Sequence, residues 1–77
     1  MSMEKYRDIG GNSGISAYEV GDDFIIVRFK KGGMYLYNYS ITGSDHVNKM
    51  IELARIGDGL NGYINLNTKY AYARKTA

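Results

Sequence analysis

Tyr35, Tyr37 and Tyr39 occupy every second position just after Lys30-Lys31-Gly32-Gly33, and this arrangement constrains the fold more than any other stretch of the chain. Period-two spacing sends three rings to one face of a strand, and the glycine pair supplies the positive φ that a hairpin loop needs. A tyrosine joins a large apolar ring to one hydroxyl that wants a partner. The comb is therefore either half of a hydrophobic core or an aromatic platform with polar tips.

Its neighbours indicate the setting. Ile15 to Val20 is an apolar stretch, Gly21-Asp22-Asp23 has turn chemistry, and Phe24 to Lys30 is rich in β-branched and aromatic residues. With Met34 to Tyr39 these segments read as a three-stranded antiparallel meander. Beyond it, Val47, Met50, Ile51 and Ala54 recur at helical spacing. Ser44 is the expected N-cap, Asp45 complements the helix dipole and Gly57 is the expected left-handed terminator, which predicts a helix from about Asp45 to Ile56. Leu60 to Asn67 reads as a short turn or a second small helical element, and Thr68 to Arg74, carrying Tyr70 and Tyr72, as an optional final strand. Residues 1–14 mix charges with Gly10, Gly11 and Gly14, so residues 1–11 are expected to be a mobile lead-in to a single domain over 12–75. The predicted class is α+β, a three-stranded antiparallel meander packed on one amphipathic helix.

Hairpin parity decides which way the comb faces. A two-residue loop at Lys31-Gly32 pairs Phe29 with Met34 and leaves the tyrosines beside Arg28 and Lys30. A three-residue loop at Lys31 to Gly33 pairs Lys30 with Met34 and sets Tyr35, Tyr37 and Tyr39 beside Phe29, Val27 and Ile25. The glycine pair suits a type I turn closed by a glycine bulge, and Ile41 extends the apolar side, so the core arrangement is favoured, with hydroxyl tips emerging at the sheet edge.

A chain of 77 residues buries a modest core, and a second copy or a ligand can add appreciably to its stability, so a homo-oligomer is expected. The absence of cysteine excludes a disulfide framework and thiolate chemistry and fits the cytoplasm. No apolar run suits a membrane-spanning helix, and Met1 to Ile9 lacks a signal-peptide stretch, so no membrane partner is expected. The net charge of +2 is small for a strong nucleic-acid binder. Lys69, Arg74 and Lys75 nevertheless fall in an acid-free tail, which can track phosphates or simply be a solvated end.

Catalytic constellations are missing. One histidine and scattered carboxylates (Asp22, Asp23, Asp45, Glu52, Asp58) do not make a metal site, and consecutive Ser44-Asp45-His46 on a helix cannot converge on one substrate. The glycine pairs lack a following helix or a Walker lysine. The expectation is a non-enzymatic protein without cofactor or metal. What remains is aromatic residues interleaved with basic ones, the division of labour used for bases and phosphates. The candidate ligand-binding set is Arg28, Lys30, Tyr35, Tyr37, Asn61, Asn65, Tyr70, Tyr72 and Arg74, the asparagines offering amide hydrogen bonds to a base or ribose. The plainer alternative is strand tyrosines beside snorkelling basic side chains.

One ordered series of weak motifs adds to this. Ile15-Ser16-Ala17-Tyr18, Val27-x-Phe29, Gly32-Gly33-Met34-Tyr35-Leu36-Tyr37, a helix ending near Gly57 to Gly59, Asn61 with Ile64, and Tyr70-x-Tyr72-x-Arg74 together resemble the KTSC domain. That small module occurs at the C-terminus of some lysyl-tRNA synthetases and as a free-standing bacterial or phage protein; the resemblance runs from about Asn12 to Lys75. It departs after Ile64, where the family often has a basic residue and this chain has Asn65, and the spacing on to Tyr70 is longer. The resemblance implies RNA binding, as for the synthetase-linked copies. It also admits comparison with small phage proteins that look like sponges for host signalling nucleotides such as cyclic ADP-ribose derivatives. The resulting expectation is a module that sequesters a nucleotide-like ligand, with an RNA- or tRNA-binding accessory domain and a protein-interaction or oligomerisation domain as alternatives.

Overall fold

A computed structural model describes residues 3–11 and 13–76. In chain order it has β1 Glu4–Lys5, β2 Ile15–Val20, β3 Phe24–Phe29, β4 Met34–Asn38, α1 Ser44–Ile56, α2 Leu60–Tyr63 running into a π-helical turn Ile64–Thr68, and β5 Arg74–Lys75. The strands form one antiparallel sheet of sequential order, with the helical segment connecting β4 to β5. The α+β expectation holds, and the meander is the centre of a five-stranded sheet rather than the whole of it.

The N-terminal addition rests on one aromatic residue. The Tyr6 N–H donates to the Ser16 carbonyl at 3.0 Å, its ring is buried in the core, and its hydroxyl accepts the Leu60 N–H at 3.3 Å. A segment read as a lead-in without a confident element thus carries a short edge strand and a core anchor, because Tyr6 outweighs the charges around it. The domain boundary placed at Asn12 lies outside the described residues.

A bulge corrects the pattern of β2. Ile15 pairs with Phe29 but Ala17 pairs with Arg28, so one extra residue is taken up at Ser16, whose Oγ donates to the Arg28 carbonyl at 3.2 Å. Inserting one residue reverses strand parity. Ile15 and Tyr18, an odd number of positions apart, are both buried as a result.

In the second hairpin Ile25 pairs with Tyr37 and Val27 with Tyr35, and the Phe29 N–H donates to the Gly33 carbonyl at 2.9 Å. The loop is Lys30-Lys31-Gly32, one position earlier than expected, and Met34 pairs with Arg28 instead of Lys30. Gly32 and Gly33 both take positive φ, 102° and 88°, which lets the strand restart at Gly33. A register change of two residues preserves parity. Tyr35 and Tyr37 therefore share the face of Ile25, Val27 and Phe29, as the core arrangement required. Tyr39 and Ile41 do not extend it: β4 ends at Asn38, the Tyr39 hydroxyl donates to Asn48 Oδ1 at 2.7 Å, and Ile41 is 60% exposed.

Helix α1 covers this face, with Val47, Met50 and Ala54 in one buried cluster with Ile25, Val27 and Tyr37. Its N-cap is Gly43 at φ 102°, without a side-chain cap; the Val47 N–H donates to the Gly43 carbonyl at 3.0 Å, and Ser44 is the first helical residue instead of the cap. Gly57 ends the helix as expected, at φ 85° with its N–H on the Leu53 carbonyl at 2.9 Å. Leu60 and Ile64 complete the core from α2 and the π turn. Among the described residues no helix is long and apolar enough to cross a membrane.

Candidate functional site

Where the comb meets the end of the helical crossover, the aromatic rings gather. After the π turn the Ala71 N–H donates to the Thr68 carbonyl at 3.0 Å, Thr42 Oγ1 donates to the Ala71 carbonyl at 2.6 Å, and the Ala73 N–H donates to the Leu36 carbonyl at 2.7 Å. These bonds fix the backbone on both sides of Tyr72. Its ring lies 4.7 Å from that of Tyr35 and 6.5 Å from that of Tyr37, both edge to face, while Phe29 meets Tyr35 edge to face at 5.7 Å. Edge-to-face pairs match the positive rim of one ring to the negative face of the next, about 0.5–1.5 kcal/mol each beyond burial.

These rings border an open cleft of about 260 Å³. Phe29, Tyr35, Tyr37 and Tyr72 contribute its aromatic lining, with Lys31 and Gly32 from the hairpin and Ile64, Asn65, Lys69 and Tyr70 from the helical segment. Its charged lining residues are Lys31 and Lys69, and no carboxylate lines it. Lys69 Nζ stands 5.5 Å from the Tyr70 ring centroid and Lys75 Nζ 5.8 Å from that of Tyr35, so a third cation lies beside the same aromatic group. Tyr70 is 83% exposed and Tyr37 only 1%. Burial, with smaller effects from Tyr35 and Tyr72, pushes the Tyr37 hydroxyl up to about 12. Near neutral pH it is a neutral donor and acceptor.

Tyrosine hydroxyls outside the cleft are mostly paired, although that of Tyr18, buried in the core, has no hydrogen-bond partner among the described residues. Tyr6, Tyr39 and Tyr63 bond to Leu60, Asn48 and His46 Nδ1, the last at 2.7 Å. Among the described residues no such partner meets the hydroxyls of Tyr35, Tyr37, Tyr70 or Tyr72. No side-chain polar atom among them is both sealed from solvent and unpaired. The cleft hydroxyls therefore retain access to solvent.

Of the sequence-predicted residues, Tyr35, Tyr37, Asn65, Tyr70 and Tyr72 come together here. Arg28 does not: its register opposite Ala17 and Met34 puts it on the other face of the sheet. Arg74 shares that outer face, opposite Leu36. Lys30 is drawn away to Asp8, with Nζ 3.2 Å from Oδ2. Desolvation opposes the ionised form of Asp8, but the Ser13 amide, Lys30 and the Gly11 amide together hold its carboxyl below the usual range. Asn61 faces a separate hollow of about 190 Å³ with Tyr6, Asp8, Ser13 and Asp58. The candidate set left out Phe29, Lys31, Ile64 and Lys69. The signal for Lys31 was present in its position at the loop tip, whereas Lys69 required knowing that the chain turns back after a π-helical turn.

The cleft can hold a flat ring against aromatic edges, offer hydroxyls and an amide to its heteroatoms, and neutralise an anion at the rim. Among the described residues no cluster of histidine and carboxylate side chains could hold a metal ion. Comparison with protein-family models, with curated proteins and with solved structures finds no match for this chain.

Proposed function

We propose that this protein is a non-enzymatic binding module that holds a small nucleotide-like ligand in the tyrosine cleft. The observation that carries the reading is the convergence of four tyrosines without hydroxyl partners among the described residues and two lysines on a cleft that no carboxylate lines. A volume of about 260 Å³ is just under the usual range of small-molecule sites, roughly 300–1,000 Å³, and suits one base with its phosphate outside. Tyr35, Tyr37 and Tyr72 supply the floor, exposed Tyr70 is placed to stack over the ligand, Asn65 to meet a base edge, and Lys31 and Lys69 to meet the phosphate. This is consistent with a KTSC-like module of the sequestering kind.

RNA binding is the second reading, and it has its own observation. Lys5, Arg28 and Lys30 line a shallow depression on the other side of the same hairpin, sharing Phe29 with the cleft, so a longer polyanion would meet cations on both sides.

A thermal-shift screen of nucleotides, cyclic ones included, with chromatography of the recovered ligand, tests the assignment. At about a hundred times Kd a ligand adds about 2.7 kcal/mol, a rise of roughly 10–20 °C for a domain this small. The expected result is stabilisation by a mononucleotide-sized ligand recovered intact, with weak salt dependence. A steep loss with salt would favour RNA, because each neutralised phosphate releases counterions. No stabilisation by any nucleotide, or recovery of a hydrolysed one, would contradict the proposal.

A further inference from the structure

The outer face of the sheet, away from α1 and the tyrosine cleft, carries a row of side chains whose order is informative. Registers across four strands align Glu19 with Ile26, Ile26 with Leu36, and Leu36 with Arg74. An acid stands at one end of this row, a base at the other and two large aliphatic residues between them. Phe24 and Met34 flank it in the neighbouring rows, in register with Asn38 and Arg28. All four apolar side chains are half-buried, and none belongs to the core cluster under α1.

We propose that this face is a homodimer interface, formed by two copies packed sheet to sheet about a two-fold axis parallel to the strands and passing between β3 and β4. That operation sets Ile26 of one copy over Leu36 of the other and Glu19 over Arg74, each contact occurring twice because the interface is isologous. The charges also exclude the main competitor. A two-fold axis perpendicular to the strands along the same row brings Glu19 onto Glu19 and Arg74 onto Arg74. Arg28 and Lys5 stand in the row nearest the β3–β4 loop, at the rim, where water screens them.

Four strands about 4.8 Å apart and three rows about 6.8 Å apart give a footprint of roughly 400 Å² per copy, small beside a standard interface of about 800 Å² per partner. The dimer is therefore weak and reversible. The two clefts face outward from it, so association does not depend on the ligand.

Sedimentation equilibrium of the ligand-free full chain over a wide concentration range tests this, with Glu19→Arg, Arg74→Glu and the double reversal. Both positions lie on the sheet surface, and unchanged circular dichroism and melting show that the variants fold. Each single reversal replaces two attractions by two repulsions and is expected to weaken association about tenfold. The double reversal restores the opposition of charge and recovers the dimer. A wild-type chain that stays monomeric at the highest concentration, a dimer indifferent to either single reversal, or a double variant no better than the singles overturns the proposal.

Discussion

Tyr6 and Tyr72 stand near opposite ends of the chain, and both pack on the same core, yet their hydroxyls are treated differently. The Tyr6 hydroxyl accepts the Leu60 N–H and so ties the N-terminal edge strand to the start of α2. Arg7 closes the same end, its Cβ lying 2.6 Å from where a side chain on Gly57 would begin, while the Ile9 N–H bonds to the Gly57 carbonyl at 2.8 Å. Tyr72 is held by backbone bonds on both sides and by two neighbouring rings, and its hydroxyl has no partner among the described residues. The Tyr6 hydroxyl and the backbone at the first end are paired and serve stability. The tyrosine hydroxyls at the second are positioned but unpaired, which is what a preorganised site requires.

Substitutions can break this contrast. The largest effect belongs to Tyr37, whose ring is both core and cleft floor: Tyr37→Ala is expected to cost about 3–5 kcal/mol in urea unfolding, whereas Tyr70→Ala, on an exposed ring of the same cleft, stays within about 0.5 kcal/mol. Alkaline pH acts on Tyr37 without mutation. Its folded pKa of about 12 lies above the ordinary value of 10.0, so the folded state keeps a proton that the unfolded state has lost. This contribution is complete below pH 10 and disappears as the pH rises through 12, a loss on the order of 2–3 kcal/mol visible in pH-dependent unfolding. Tyr37→Phe removes its share of that loss and leaves what Tyr6 and Tyr18 contribute, whose hydroxyls burial also pushes up.

Smaller effects belong to the closed end. Gly57→Ala forces a side chain into φ 85° and against Arg7, and is expected to cost about 2 kcal/mol. Tyr6→Phe deprives the Leu60 amide of its acceptor and should cost about 1 kcal/mol, measured by the same unfolding curves. Tyr72→Phe removes a hydroxyl without a described partner and should leave stability within about 0.5 kcal/mol while weakening nucleotide binding. A large stability loss from Tyr72→Phe, or none from Tyr6→Phe, would erase the distinction between the two ends.

The sequence made the comb and its face legible because parity survives a register change of two: the hairpin loop is displaced from its expected place, yet Tyr35 and Tyr37 still fall beside Ile25 and Val27. Helix α1 and its Gly57 terminator were equally readable from periodicity and one glycine. Other features were hidden for physical reasons. The bulge at Ser16 breaks the alternation by which a strand is recognised, Gly43 caps α1 without a side chain to announce it, and β1 and β5 each span two residues, too short to carry a pattern. In the cleft the tyrosines were identifiable by type, but the cations were not. Lys30 and Lys31 are adjacent and chemically identical, and only the partner at Asp8 diverts the first while the second lines the cleft. Arg28 and Arg74 were separated from the tyrosines by strand registers that composition does not reveal.

The central claim is that ligand meets the protein at the tyrosines of the cleft and not at the Tyr6 end. Titrating the most stabilising nucleotide of the thermal screen into isotope-labelled protein, and following backbone amide resonances, tests it most directly. Shifts concentrated at Gly32, Tyr35, Asn65, Lys69, Tyr70 and Tyr72, with Tyr6, Asp58 and Asn61 unmoved, are the predicted result. Shifts centred on Tyr6, Asp58 and Asn61, or none at saturating nucleotide, would contradict it.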